Sequence, residues 1–330
     1  MNIMMLGSGA WGTALANLLC ENGHRVILWN RSETRAAQMA QTRRNPRLEG
    51  VELHSAMEMT ADLSYAKDCE MVVFATPSFA LRQTAGQVKE FLAPHVVLVS
   101  ATKGIEADTG MRMTEILRAE TGCTAVALSG PSHAEEVSQG LPTGCVAASE
   151  DLGAAEKVQS AFMNDSFRVY TGTDVIGVEL SAAMKNVIAL CAGVSDGLGM
   201  GDNAKALLVT RGLAELAVLA VALGGQQATV AGLAGVGDMI VTCTSVHSRN
   251  RRAGVLIGQG VPVEEAMKQV GAVVEGYYAA GSVWHLSQKA RVEMPICQQA
   301  YAVLYEGEDP AVSIRALMRR EKKSEFENLQ

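Results

Sequence analysis

The sequence is poor in the patterns that mark several large protein classes. Aromatic residues make up only 5% of the 330 residues, and the seven cysteines, Cys20, Cys69, Cys123, Cys145, Cys191, Cys243 and Cys297, are odd in number with no C-x-x-C pair. Scattered single cysteines are those of reduced thiols in a cytosolic protein, which speaks against a disulfide framework and a zinc site. The six histidines form no H-E-x-x-H and no close pair, so no metal is expected. Basic residues number 28 against 35 acidic ones, a formal charge of −7, so neither nucleic acid nor an anionic membrane is an expected partner. No window of eighteen or more uncharged apolar residues is evident, since even "LAELAVLAVAL" carries Glu215, and the opening "MNIMMLGSGAWG" has no basic leader. The expectation is an unexported, cytoplasmic chain without membrane insertion.

What is present is enough apolar residue, 48%, for a large core and two domains. The first half alternates short buried runs, "NIMML", "RVILWN", "MVVFAT", "VVLVSAT", "TAVALSG" and "GCVAAS", with stretches long enough for crossover helices. That is the pattern of a doubly wound parallel sheet. From about Asp174 the runs become helical in period and are broken by glycine-rich turns. The expected architecture is α/β: a Rossmann-type dinucleotide-binding domain over residues 1–180, then an all-helical substrate-binding domain over 181–330. The charged end "RREKKSEFENLQ" reads as a solvated tail.

"GSGAWG" supplies Gly7, Gly9 and Gly12 as G-x-G-x-x-G between a strand and a helix. In that context the first glycine permits a tight turn, the second lets the backbone approach a pyrophosphate, and the third allows helix and strand to pack closely. The acidic residue that grips the adenine ribose of NAD belongs at the end of the second strand, where this chain has Leu28, Trp29, Asn30 and Arg31. A guanidinium in that place suits a 2′-phosphate, so NADP is favoured over NAD, against the alternative that Arg31 points to solvent. Two more strand ends, "VSATKGIE" with Lys103 and "LSGPSHAEEV" with Gly130 and Ser132, lie where open α/β sheets bind ligands. In the helical half, "GVGDMIVTCTSVHSRNRRAG" sets glycines beside Asp238, Thr242, Ser248, Arg249 and Asn250, a donor set suited to a phosphate or carboxylate. Arg251 and Arg252 complete its basic run. "GVSDG" imitates the hydrolase G-x-S-x-G but follows a helix, so Ser195 is a poor nucleophile.

Lys185 in "LSAAMKNVIALCAGV" has Val178, Ser181, Ala182, Ile188, Ala189 and Ala192 as its helical neighbours and no acidic partner among them. It is either a lysine snorkelling to water or a catalytic amine on a face kept small for a ligand.

The strings "GSGAWGTALA", "ATKGIE", "SGPSHAEEV", "GLPT", "FRVY", "MKNVIALCAGVSDGLG", "VTRGLAE", "GVGDMIVTCTS", "SRNRRAG" and "VVEG" together resemble the NAD(P)-dependent glycerol-3-phosphate dehydrogenases of the bacterial biosynthetic type, from about residue 3 to past residue 275. The resemblance implies reduction of dihydroxyacetone phosphate to sn-glycerol 3-phosphate, with NADPH preferred and NADH also used, for glycerophospholipid synthesis. It places the general acid–base on Lys185 and substrate contacts on Lys103, Gly130, Ser132, Lys185, Asn186, Asp238, Thr242, Ser248, Arg249 and Asn250. Cofactor contacts fall on Gly7, Gly9, Ala10, Trp11, Gly12, Arg31, Lys103, Ala134, Arg249, Val273 and Glu275. Ala10 departs from the serine common in relatives, leaving backbone amides to serve there. Burial and the second cation Lys103 are expected to lower the basicity of Lys185 toward working pH. A homodimer is the family expectation. The nearest rival is a 3-hydroxyacid or 6-phosphogluconate type dehydrogenase, which shares the lysine–asparagine pair.

Overall fold

Most strands form where the sequence runs apolar without interruption. In the computed structural model, which describes residues 1–325, these runs build an eight-stranded sheet: β1 (Asn2–Leu6), β2 (Arg25–Trp29), β3 (Glu58–Thr60), β4 (Met71–Phe74), β5 (Val97–Ser100), β6 (Ala125–Ser129), β7 (Thr143–Ala148) and β8 (Phe167–Gly172). The strand order is β3-β2-β1-β4-β5-β6-β7-β8. Strands β4, β5 and β6 are buried along their whole length, which is why they carry β-branched and other apolar residues without alternation.

The pairing departs from the expected all-parallel sheet at one place. β7 runs antiparallel to β6, with Ala127 opposite Ala148, because residues 130–142 hold only a four-residue helix and the chain turns back. β8 then pairs parallel with β7.

Six helices accompany the sheet: α1 (Ala10–Glu21), α2 (Glu33–Thr42), α3 (Leu81–Val88), α4 (Met113–Thr121), α5 (Ala134–Val137) and α6 (Leu152–Phe162). The helical half continues with α7 (Val175–Gly197), α8 (Gly201–Ala222), α9 (Gln227–Val230), α10 (Asp238–Thr244), α11 (Arg249–Gly258), α12 (Val263–Val270), α13 (Glu275–Ala290), α14 (Pro295–Tyr301) and α15 (Pro310–Met318).

One compact unit comprises Met1–Lys103 and Met113–Val175, and a second gathers Gly104–Arg112 with the described chain from Ile176 onward. The change therefore falls at the start of α7, where the sequence pattern sets it at residue 180. The 104–112 excursion is held in the second unit by burial of Ile105 and by Arg112, whose Nη1 lies 2.6 Å from Glu179 Oε2 on α7. Each unit has its own core. In the first, Leu15, Leu19, Val73, Val99, Phe162 and Val169 are fully buried; in the second, Met184, Ile188, Leu216, Met239 and Cys297 are.

Helix α7 agrees with the sequence reading that no long uncharged apolar window occurs, since it carries Glu179 and Lys185. By length and mean hydropathy it could still cross a membrane, yet 89% of its most apolar window is buried inside the structure. Its hydropathy is that of a core helix. Of the charged end, Arg320 and Lys323 pair with Glu293 instead of standing alone in solvent, and residues 326–330 lie outside the described residues.

Candidate active site

The glycine loop joins β1 to α1. Gly7 has φ +117, and a Cβ there would stand 2.7 Å from the carbonyl oxygen of Ala75, so a left-handed residue without a side chain is required. A Cβ on Gly12 would lie 2.0 Å from the Gly7 oxygen, which fixes the close approach of helix and loop. At Gly9 the same construction meets nothing within 4 Å. Gly9 is the N-cap of α1, no side chain caps the helix, and its first turn carries no acidic residue. The outcome is an open surface at a helix start with amides for an anion, and a Cβ on Gly9 would intrude into it. Ala10 begins the helix, and the neighbouring Trp11 Nε1 is buried without a hydrogen-bond partner among the described residues. These features fit a dinucleotide pyrophosphate.

At the end of β2, Asn30 turns its side chain to the loop: Nδ2 donates to Ser8 Oγ at 2.6 Å, and Oδ1 accepts from Ser32 N at 2.8 Å. Arg31 is exposed just before α2, whose N-cap is Ser32. Lys103, at the end of the stretch after β5, donates from Nζ to Gly130 O at 3.0 Å and to Ser132 Oγ at 3.4 Å. Lys103, Gly130 and Ser132 thus form one cluster in the first unit, with Ala134 buried at the first position of α5 close by in sequence.

In the second unit Lys185 has a partner that helical spacing could not reveal. Its Nζ lies 2.6 Å from Asp238 Oδ1 and donates to Thr242 Oγ1 at 3.0 Å, with both α10 residues buried. Thr242 is itself fixed, since its hydroxyl donates to Asp238 O at 2.6 Å. The amine is therefore held in one place by two groups of α10. Asn186, next along α7, accepts at Oδ1 from Asn250 Nδ2 at 2.8 Å, and Asn250 Oδ1 accepts from Gly276 N at 2.9 Å. This bridge ties the Lys185 helix to the starts of α11 and α13. Ser248 caps α11, its hydroxyl accepting from Arg251 N at 3.2 Å, and Arg249 is exposed at the first helical position. Val273 and Glu275 flank the start of α13, both half-buried.

The remaining arginines separate clearly. Arg251 Nε donates to Asp196 Oδ2 at 2.7 Å, Lys205 lies 2.7 Å from Asp196 Oδ1, and Arg252 is exposed. The "GVSDG" segment completes α7 and forms no strand–turn–helix elbow. Its glycines serve packing instead: a Cβ on Gly193 or Gly197 would stand 2.1 or 2.3 Å from backbone oxygens of α11, and one on Gly254 or Gly258 2.0 or 2.4 Å from those of α7. The two G-x-x-x-G pairs let α7 and α11 touch backbone to backbone.

Models of the NAD-dependent glycerol-3-phosphate dehydrogenase N-terminus and C-terminus match residues 2–155 and 174–315. The chain belongs to that family. It is 48% identical to a glycerol-3-phosphate dehydrogenase [NAD(P)+] of a Thermoanaerobacter species over the whole of both chains. It is 49% identical to one from Moorella thermoacetica over 99% of this chain and 98% of the relative. Among solved structures, a glycerol-3-phosphate dehydrogenase from Coxiella burnetii superposes with a TM-score of 0.93 at 36% identity, covering 97% of this chain and 99% of that one. The family is NAD(P)-dependent, in accord with the glycine loop.

Sequence reasoning missed Asn30 and Asn45 as supports of the glycine loop, Asp196 as the partner of Arg251, and Asp238 as the partner of Lys185. None carries a local signal, because each partner is distant along the chain.

Proposed function

We propose that the protein reduces dihydroxyacetone phosphate reversibly to sn-glycerol 3-phosphate. The observation that carries this reading is the buried Lys185–Asp238–Thr242 cluster in a chain of this family. Reduced nicotinamide, when bound, supplies the hydride to the carbonyl carbon. Lys185 Nζ gives a proton to the carbonyl oxygen as charge builds there, and as a neutral amine it takes the hydroxyl proton in the reverse direction. Asp238 and Thr242 hold Nζ in place, so little ordering remains to be done at the moment of transfer.

Lys103, Gly130, Ser132 and Asn186 are read as contacts to the triose, and Ser248, Arg249 and Asn250 as the phosphate group's partners. Arg249 offers the planar fork that matches a phosphate. Gly7, Gly9, Ala10, Trp11 and Gly12 would hold the pyrophosphate and its surroundings, and Arg31 the adenosine end. Lys103, Ala134, Arg249, Val273 and Glu275 are read as further cofactor contacts. NADPH is the preferred reductant in this reading, NADH a second one. The product is a precursor of glycerophospholipids, and a cytoplasmic homodimer is the form proposed.

Consumption of NADPH with dihydroxyacetone phosphate, compared with its consumption with 3-oxoacids and with the reduction of NADP by 6-phosphogluconate, tests the assignment. Turnover confined to the triose phosphate is expected. Turnover with one of the others alone would transfer the protein to the rival class.

A further inference from the structure

The glycine loop of a dinucleotide site must hold its shape although glycine gives it no stiffness. Here the stiffness comes from outside. Asn45 lies in the segment after α2 and is 4% exposed. Its Nδ2 donates to the Ser8 carbonyl at 3.1 Å and to Thr13 Oγ1 at 2.7 Å, while its Oδ1 accepts from Arg47 N at 3.0 Å. From the other side Asn30 takes the Ser8 hydroxyl at 2.6 Å. Both polar ends of the one residue between Gly7 and Gly9 are thus fixed by asparagines, and one of these also grips the first turn of α1.

Asn45 is not needed to attach its segment to α1. Asn17 does so independently, donating to Glu52 O at 3.0 Å and accepting from His54 N at 3.0 Å. The side chain of Asn45 is directed at the loop.

We propose that Asn45 is a positioning residue for the dinucleotide: it fixes the path of Gly7–Gly12 and so aims the amides at the start of α1 toward the pyrophosphate. The inference rests on the reading of that loop as the dinucleotide site.

The test uses the full chain and two ligands, measured by fluorescence or calorimetric titration without second substrate. NADPH contains the pyrophosphate, and adenosine 2′-monophosphate lacks it. Asn45→Ala and Asn45→Asp should each weaken NADPH by about tenfold, as loss of paired hydrogen bonds predicts, and leave adenosine 2′-monophosphate within about twofold of wild type. The aspartate is informative because it keeps the acceptor for Arg47 N and loses both donations. Equal NADPH affinity in folded variants would overturn the proposal, and so would a parallel loss for both ligands, which would mean general loosening of the unit. If neither variant folds, Thr13→Val removes one acceptor with almost no change of shape; a selective rise of about threefold in the NADPH dissociation constant supports the proposal, and no rise overturns it. A wild-type protein that binds no NADPH would instead bring down the reading of the loop itself.

Discussion

Lys185 Nζ stands 2.6 Å from Asp238 Oδ1, with the two side chains only 8% and 1% exposed, and the carboxylate arrives from 53 residues further along the chain. Removing one member of such a pair strands a charge in the interior, so Lys185→Met should cost about 3–5 kcal/mol of stability. It should also lower turnover at least about a hundredfold, the lower range for an acid–base group. The two losses separate in the double variant Lys185→Met/Asp238→Asn, where no charge is left unpaired. Denaturant unfolding should show stability recovered while turnover stays lost. Recovery of turnover in the double variant would remove Lys185 from the chemistry.

Cofactor choice is expected to lie with Arg31. Asn30 spends its side chain on Ser8 and Ser32, so no carboxylate stands at the end of β2 to accept from both ribose hydroxyls of NAD or to repel a 2′-phosphate. NADPH should be preferred by about tenfold in kcat/KM, or about 1.4 kcal/mol, and Arg31→Asp should reverse the order. The comparison belongs at moderate salt, since an exposed guanidinium–phosphate pair is screened. A ratio untouched by Arg31→Asp would assign the choice to another group.

The strands that could be read from the sequence are those with uninterrupted apolar runs, β1, β2, β4, β5, β6 and β7. β3 has only three half-buried residues, and in β8 buried Phe167 and Val169 alternate with exposed Arg168 and Tyr170, so neither stands out as a buried run. The glycine loop was legible because its spacing is local and its flanks are a strand and a helix. The environment of Lys185 was not: its neighbours in sequence are apolar, and only the tertiary approach of α10 supplies Asp238 and Thr242. Asn45 was invisible for the same reason, a single polar residue in a loop whose partners lie 37 and 32 positions earlier.

The glycine pairs of α7 and α11 set how closely the Lys185 helix approaches the helix that begins at Arg249. A methyl on Gly254 would lie 2.0 Å from Leu190 O and 2.8 Å from Val194 N, both backbone atoms that cannot rotate away. Gly254→Ala should therefore destabilise by about 1–3 kcal/mol even though alanine is the better helix former by about 1 kcal/mol. The displaced start of α11 should raise the KM for triose phosphate as well. Unchanged urea midpoint and unchanged KM together would show that the helices part without consequence.

The last expectation concerns Glu215, which sits on α8 and is 6% exposed. Its carboxylate accepts from Ile296 N at 2.7 Å and Cys297 N at 3.3 Å, serving the start of α14 in place of a local cap. Burial, opposed by those two amide hydrogen bonds, pushes its pKa from 4.5 up to about 7. Because the folded value is the higher one, the native state holds the proton more tightly than the unfolded chain does. Stability is then greatest below the unfolded value and falls as pH rises from about 4.5 to about 7, by at most about 3 kcal/mol. Glu215→Gln keeps an acceptor for one amide and cannot ionise, so its unfolding free energy should lack this fall. The difference between wild type and variant isolates Glu215 from His24, whose lowered pKa makes stability rise with pH in a neighbouring range. Denaturant unfolding of both proteins at pH 5 and pH 8 should show the variant gaining on the wild type as pH rises. A constant difference between the two pH values would mean that Glu215 titrates at its ordinary value and that its burial is offset by the amides of α14.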